Sequence, residues 1–268
     1  MERGLGARKM LDYSIGFIGG GRITKIFLGG YKNADISFRK VVVSEPDEKR
    51  ISVLKGEFPD FIIEPNGNKA VAKCDIVFLA VHPPVMGAVL DEIKPVLSPE
   101  TMIISLVPKF TIAGINEKIG GSARIARSIP NAGSLVNYGY NPIAFGKMLS
   151  IEERNKVISI LAPLGECPEV PEEELEAYAV ITAMGPTYLW FQLYELQTIA
   201  EKIGIKRETA KTAVLSMAAG ALKLMEDNRL DSTLVMDLIP VKPLDKEEEY
   251  IKSILRSKLE MVYNKLKS

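Results

Sequence analysis

Short apolar runs alternate with amphipathic segments through the first 170 residues, and this alternation constrains the fold more than any other feature. The runs are rich in Val and Ile and nearly continuous, which is typical of strands covered by helices on both faces of a sheet. We predict strands at Ser14–Ile18, Lys40–Val43, Ile76–Val81, Met102–Leu106, Arg124–Ile129 and Asn141–Phe145. Helical periodicity lies between most of them, at Arg22–Leu28, Asp47–Glu57, Lys69–Ala72, Val85–Lys94, Ile112–Ile119 and Ile151–Ala162. This alternation predicts an α/β fold with a doubly wound, mostly parallel sheet.

The pattern changes after Pro171, where the strand-like runs end. Three prolines in 163-PLGECPEVP-171 mark the boundary, and two more interrupt the helical pattern in 239-IPVKPLD-245. We therefore predict an N-terminal extension over 1–13, an α/β domain over 14–170 and an all-helical domain over 171–268. The predicted helices of the last domain are Glu173–Thr182, Thr187–Ile203, Arg207–Asp227 and Lys246–Lys267.

The helical half carries much apolar surface for four helices, as in 211-KTAVLSMAAGALKLM-225. Two arrangements would bury it, an internal bundle or the interface of a homodimer. We favour a homodimer through the C-terminal helices, in which the small residues permit close helix approach.

The charge balance narrows the classes of function. Lys plus Arg and Asp plus Glu both total 34, so the formal net charge is zero and nothing indicates a nucleic-acid or membrane surface. Cys74 and Cys167 stand far apart, and His82 is the single histidine. This composition predicts a cytoplasmic protein without a disulfide scaffold or a metal site.

A glycine-rich turn, 15-IGFIGGGRITKIF-27, joins the first predicted strand to the first predicted helix. In a dinucleotide-binding loop one glycine permits the turn, a second lets the backbone approach the pyrophosphate, and N–H groups of the helix start bind phosphate. Gly19 and Gly21 fill the glycine positions, and Arg22 and Ile23 begin the helix. Thr24 stands where a third small residue is usual, and we interpret it as a tolerated packing variation.

Two further segments lie at the ends of predicted strands, where ligands bind in open α/β sheets. Glu45, 21 residues beyond Thr24, either holds the adenosine ribose hydroxyls or is a solvated carboxylate. Lys49 and Arg50 favour the extra phosphate of NADP instead, so the choice between NAD and NADP stays open. The second segment comprises Ala80, Val81, His82 and Pro83, whose histidine either donates to a phosphate or ribose or has no catalytic duty.

The order of these motifs resembles the pyrroline-5-carboxylate reductase family. The segments IGFIGGG, SEPD, LAVHPP, 127-RSIPNAG-133 and 185-GPTY-188 follow the family's order across residues 14–228. The resemblance implies a Rossmann domain followed by an all-helical dimerisation domain. It also implies reduction of a small cyclic imine, with NADP or NAD as the cofactor.

The same resemblance implies the site residues. Pro130 and Asn131 match a turn that faces the active site, and Gly185, Pro186 and Tyr188 match a helix start in the second domain. Asn66 matches a polar residue that reaches the adenine-side ribose. The predicted catalytic residues are Asn131, Thr187 and Tyr188, and the predicted cofactor-binding residues are Gly19, Gly21, Arg22, Ile23, Glu45, Asn66, Ala80, Val81, His82 and Pro83.

The catalytic candidates have plainer alternatives. Thr187 follows Pro186 at a predicted helix start, where a hydroxyl commonly satisfies backbone groups. Tyr188 lies in 187-TYLWFQLYEL-196, and such an aromatic stripe usually belongs to a core or an interface. A protonated imine needs only a weak hydrogen-bond donor, whereas a carbonyl substrate needs a group that protonates the alkoxide.

The substrate half departs from the family's pattern. The segment S-P-G-G-T-T, which binds the substrate carboxylate in the family, is expected after residue 236, where this chain reads 236-MDLIPVKPLDKEEEYI-251. Three functions therefore stay open. They are an NAD(P)H-dependent imine reductase, a reductase of another substrate or with a deazaflavin hydride carrier on the same scaffold, and a non-catalytic dinucleotide-binding protein.

Overall fold

The computed structural model describes residues 9–121 and 123–267. Two compact units make up this part of the chain, one running to Ala183 and including the last residues from Lys265, and the other comprising Met184–Asn264. Within the described ranges, no helix combines the length and the apolar character needed to cross a membrane.

A seven-stranded sheet forms the centre of the first unit. Its strands are β1 (Lys9–Ile18), β2 (Ile36–Ser44), β3 (Ile62–Glu64), β4 (Ile76–Leu79), β5 (Met102–Ser105), β6 (Arg124–Ser128) and β8 (Ile143–Phe145), while β7 (Gly139–Tyr140) pairs with β9 (Gly165–Glu166). The order is β3-β2-β1-β4-β5-β6-β8, parallel except for the antiparallel pair of β6 and β8. The first six strands have the doubly wound Rossmann order, which confirms the predicted fold class.

Helices cover both faces of this sheet. They are α1 (Arg22–Asn33), α2 (Glu48–Glu57), α3 (Asn68–Val71), α4 (Met86–Ile93), α5 (Ile112–Ile119), α6 (Ile151–Leu161) and α7 (Leu175–Tyr178). Successive strand residues point to opposite faces, so Phe17 and Phe78 join one buried cluster while Ile18 and Leu79 join another. Burial on both faces explains why the strands read as continuous apolar runs.

The first strand begins earlier than predicted. Residues 1–8 of the predicted extension lie outside the described residues, but residues 9–13 belong to β1, with Lys9 opposite Ile36 of β2. Arg39 of β2 pairs with Asp12 at 3.2 Å and with Asp75 at 2.6 Å. Because the start of β1 carries charged residues, the search for apolar runs did not predict a strand there.

The two units divide after Ala183, thirteen residues beyond the predicted division after residue 170. The buried guanidinium of Arg127 on β6 pairs with Glu172 at 2.8 Å and with Glu176 at 2.7 Å. Leu175 joins the same buried cluster as Ile129. The segment after Pro171 is therefore held against the sheet by a buried ion network as well as by apolar packing.

The second unit consists of helices, namely α8 (Gly185–Lys202), α9 (Arg207–Glu226), α10 (Ser232–Asp237) and most of α11 (Glu248–Lys267). A π-helical turn, Ala179–Ala183, precedes α8. Of the residues described in this unit, only Ala200, Ala210 and Val214 are buried. Large apolar side chains are exposed instead, among them Trp190, Phe191, Tyr194, Leu222, Met225 and Ile254. The all-helical character is confirmed, and the homodimer stays a prediction.

Candidate cofactor site

The glycine loop connects β1 to α1 at the carboxyl edge of the sheet. Gly19 has φ +101°, and a Cβ there would lie 2.5 Å from the carbonyl oxygen of Ala80. Its N–H donates to the carbonyl of Ser44 at 2.9 Å, which joins the loop to the end of β2. Both the backbone conformation and the close approach therefore require glycine at this position.

The next two glycines differ in how closely the protein packs against them. A Cβ on Gly20 would lie 2.7 Å from Leu54 and 2.8 Å from Glu45, so the loop is pressed against β2 and α2. A Cβ on Gly21 would meet no protein atom within 4 Å. The loop is thus tightly supported underneath, and at Gly21 it leaves an open backbone surface that a phosphate can approach.

Thr24 has a specific contact in this loop. Its side chain is fully buried, and its hydroxyl donates a hydrogen bond to the carbonyl of Gly19. We therefore correct the interpretation of Thr24 as a tolerated packing variation. The hydroxyl ties the first turn of α1 back to the loop, a connection that glycine or alanine cannot make.

Glu45 is a buried carboxylate and not a solvated one. It is 3% exposed, and its two carboxylate oxygens accept hydrogen bonds from the N–H of Gly20 at 2.8 Å and from that of Asp47 at 3.0 Å. Arg50 Nη1 lies 3.7 Å from the same carboxylate. Each carboxylate oxygen keeps a further acceptor lone pair, so binding of the adenosine ribose by Glu45 stays a prediction.

A cavity of about 700 Å³ opens above the loop. It is lined by seven of the ten predicted cofactor residues, Gly21, Arg22, Ile23, Ala80, Val81, His82 and Pro83. Asn66 is not among the lining residues and lies exposed in the turn after β3, and its contact with the adenine-side ribose stays a prediction. The lining residues that sequence reasoning did not assign to the site are Gly20, Lys25, Val53, Leu106 and Pro108. Leu106 and Pro108 follow β5, so the strand-end rule that found Ala80 could have found them.

Four basic side chains make the cavity suited to anions. Arg22, Lys25, Lys49 and Arg50 all line it. Lys25 is paired with Glu57 at 2.6 Å, and Arg50 has the longer contact with Glu45. Open backbone at Gly21, a helix start and nearby cations are the features that bind a pyrophosphate, so the residues present fit a dinucleotide.

The hydrogen bonds of Asn131 described below all connect it to residues of the first unit. Its Nδ2 donates to the carbonyl of Thr182 at 2.6 Å, and its Oδ1 accepts from the N–H of Gly133 at 2.8 Å. Its own N–H donates to Oδ1 of Asn141 at 3.0 Å, and the residue is 7% exposed. These bonds link the loop after β6 to the π-helical turn, and a catalytic role of Asn131 stays a prediction.

Thr187 and Tyr188 both lie in the first turn of α8, in the second unit. The Thr187 hydroxyl donates to the carbonyl of Met184 at 2.6 Å, so it serves the helix start. Partial burial raises the pKa of the Tyr188 phenol above its usual value.

Comparison with known proteins finds similarity to pyrroline-5-carboxylate reductases in both sequence and structure. The sequence profile of NADP oxidoreductases dependent on coenzyme F420 matches residues 14–109. The pyrroline-5-carboxylate reductase of Pseudomonas aeruginosa is 27% identical over 211 residues, covering 78% of this chain and 77% of the relative. That of Corynebacterium melassecola is 26% identical over 217 residues, covering 80% of each. The NADP-bound structure of Plasmodium falciparum pyrroline carboxylate reductase matches with a TM-score of 0.84 at 25% identity, over 97% of this chain and 98% of that one.

Proposed function

We propose that the chain, which is similar to pyrroline-5-carboxylate reductases over about four fifths of its length, transfers a hydride from NADPH or NADH to the C=N bond of a small cyclic imine. It is an NAD(P)-dependent oxidoreductase. The observation that carries the proposal is the open backbone at Gly21, beside a cavity lined by Arg22, Lys49 and Arg50.

Different residues of the cavity are expected to bind different parts of the dinucleotide. Gly20 and Gly21 approach the pyrophosphate, and the start of α1 supplies N–H groups and the charge of Arg22. Ala80, Val81 and Pro83 form the wall at the end of β4, on the nicotinamide side in the family pattern. The bound cofactor supplies the hydride, and these residues orient it.

The reaction adds a hydride to the imine carbon and leaves a proton on the nitrogen. A substrate that is already protonated needs no strong acid, so the enzyme must chiefly position it and exclude water. Tyr188 is our candidate for the hydrogen-bond donor at the nitrogen, because it matches the tyrosine of the family's helix start. The segment after residue 236 offers Lys242, which is exposed, in place of the family's glycine-rich carboxylate loop.

Two matched substrates test this function. We expect NADPH oxidation with both pyrroline-5-carboxylate and 1-pyrroline, and their ratio of kcat/KM reports whether this chain recognises the carboxylate. Tyr188→Phe should lower kcat by about tenfold or more, within the range of general acid–base contributions. Tight dinucleotide binding without turnover of either imine would reject the proposal.

A second candidate function is supported by the match of residues 14–109 to the profile of F420-dependent NADP oxidoreductases. In that case a reduced deazaflavin would donate the hydride on the same scaffold. The two candidates separate in one assay, because only the deazaflavin enzyme would reduce NADP with reduced coenzyme F420 and no imine present.

A further inference from the structure

We propose, on the basis of the hydride transfer proposed above, that Lys109 binds the anionic group of the imine substrate and makes the enzyme prefer imines that carry a carboxylate. Lys109 lies in the loop after β5, residues 106–111, at the carboxyl edge of the sheet where ligands bind in open α/β sheets. Three observations support this role: the backbone conformation of Lys109, the charge of the loops around it and its place along the sheet edge.

Lys109 has a strained backbone conformation. Its φ is +73°, in the left-handed region that is unfavourable for a residue with a Cβ. Of the non-glycine residues that the structure describes, Asp35 and Asn137 also have positive φ, and both are of types that tolerate this region. Asn137 in addition donates from Nδ2 to the carbonyls of Gly30 and Pro163. The fold offers no such reason for a lysine at 109, and strain of this kind clusters at functional sites.

The residues on both sides hold the strained position in place. Val107 is buried in one of the two clusters that cover the sheet, and Phe110 packs against the same cluster. The hydroxyl of Thr111 accepts the N–H of Gly114 at 3.0 Å and so fixes the start of α5. The backbone of Lys109 is therefore fixed before a ligand binds, which lowers the entropic cost of binding.

Lys109 is the only Lys, Arg, Asp or Glu in the segments that follow β4, β5 and β6. These segments are residues 80–85, 106–111 and 129–138, and the structure describes all of them. The side chain of Lys109 is exposed, and no ion pair joins it to any residue in the described part of the chain. An anion at this part of the edge thus meets one uncompensated ammonium, which binds a carboxylate as a point charge on a flexible stem.

The place of Lys109 along the edge suits the substrate and not the adenosine. The strand β1, with its glycine loop, lies between β2 and β4, so the two halves of a dinucleotide extend to opposite sides of it. Lys49 and Arg50 line the cavity on the β2 side, where the adenosine belongs. Leu106 and Pro108 line it on the β5 side, which leaves the nicotinamide and the imine at that end. Lys109 directly follows Pro108 and lies outside the cavity lining, beside the cofactor cavity.

Lys109→Ala tests the assignment with pyrroline-5-carboxylate and 1-pyrroline, which differ in the carboxylate. We expect its kcat/KM for pyrroline-5-carboxylate to fall by about tenfold or more, chiefly through KM, because one charge-assisted contact is lost. Its kcat/KM for 1-pyrroline and its Kd for NADPH should stay within about twofold of the wild type, since neither ligand uses the contact. Lys109→Arg keeps the charge and should retain most of the activity on the carboxylate substrate.

Two further variants separate the charge from other causes. Glycine adopts a positive φ without strain, so Lys109→Gly should stay folded and still lose the same activity as Lys109→Ala. Lys118→Ala is the matched control, because that lysine lies on α5 and is already paired with Asp91 at 3.0 Å. It should change the kinetics of neither imine.

The outcomes distinguish this inference from the proposed function. Equal losses with both imines in Lys109→Ala, or full activity of Lys109→Gly on pyrroline-5-carboxylate, would overturn the inference alone. A wild-type protein with equal kcat/KM for the two imines, or loss of the carboxylate preference in Lys242→Ala instead, would do the same. If 1-pyrroline is reduced too slowly to measure, unchanged NADPH affinity in Lys109→Ala identifies its loss as one of substrate binding. A wild-type protein that binds NADPH and reduces neither imine would reject the proposed function, and the inference with it.

Discussion

Asn131 Nδ2 donates a hydrogen bond to the carbonyl of Thr182 at 2.6 Å, although the two residues are 51 positions apart in sequence. The bond joins the loop after β6 to the π-helical turn Ala179–Ala183. π-Helical turns are frequent near functional sites, and this one is held in place by a side chain that sequence motifs would assign to catalysis.

Asn131→Ala should therefore act on stability first. We expect a loss of about 1–3 kcal/mol in the free energy of unfolding, because the Thr182 carbonyl and the Gly133 N–H lose their buried partner. Chemical denaturation measures this, with exposed Asn33→Ala, which removes a single bond to the Leu135 carbonyl, as the control. A large fall in kcat with unchanged stability would instead support the direct catalytic role.

Gly21→Val should abolish dinucleotide binding while the fold is retained. The added side chain would occupy the space beside Gly21 and exclude the pyrophosphate, and its Cβ has no neighbouring atom within 4 Å. Titration of NADPH fluorescence and thermal unfolding measure the two effects separately. Gly56→Val is the matched control, since its Cβ also meets no neighbour and it lies outside the cavity lining. Unchanged affinity in Gly21→Val would refute the loop assignment.

Thr24→Val should lower both stability and cofactor affinity. Valine preserves the volume of threonine but removes the hydrogen bond to Gly19, which costs about 1 kcal/mol and leaves the partly buried carbonyl without that donor. Thr24→Ser retains the hydroxyl and should lie closer to the wild type in affinity. If valine and serine bind NADPH equally well, the hydroxyl does not hold the loop.

Cys167 should react slowly with alkylating reagents. Burial raises the pKa of its thiol to about 12 from 9.0, so at pH 8 its thiolate population is about a thousandfold below that of a free thiol. Because the folded state disfavours the thiolate, this group lowers the free energy of unfolding as pH rises from about 9 towards 12. The rate of modification of a Cys74→Ser protein, compared in native and denaturing conditions, measures the effect. Equal rates in the two conditions would contradict it.

Phe191→Asp should convert the predicted homodimer to a monomer. Phe191 is 66% exposed and lies on α8 among other exposed apolar side chains, including Tyr194. Light scattering after size-exclusion chromatography reports the mass directly, and Lys202→Glu on the same helix serves as a charge-change control. A wild-type protein that is already monomeric would refute the predicted dimer.

The sequence predicted the sheet and the loop well because both depend on local pattern. The strands at Ile76 and Met102 are continuous apolar runs, and each ends where the cavity begins. The glycines were recognisable for the same reason, since only glycine tolerates the φ of Gly19.

The sequence could not predict the hydrogen-bond partners of polar groups that are distant in sequence. The carboxylate of Glu45 accepts from the backbone of Gly20, 25 residues earlier. The amide of Asn131 donates to the carbonyl of Thr182. A local sequence pattern does not predict the direction of a polar side chain. That direction determines whether the side chain can contact a ligand or bonds to the protein backbone.

Arg127 affects when the chain can complete its first unit during synthesis. Its two carboxylate partners lie 45 and 49 residues later in sequence, so the ion network of the sheet forms only after this later segment has been synthesised. A fragment cut at residue 170 would lack both glutamates and the apolar packing of Leu175. A fragment that keeps the complete ion network must therefore extend past Glu176.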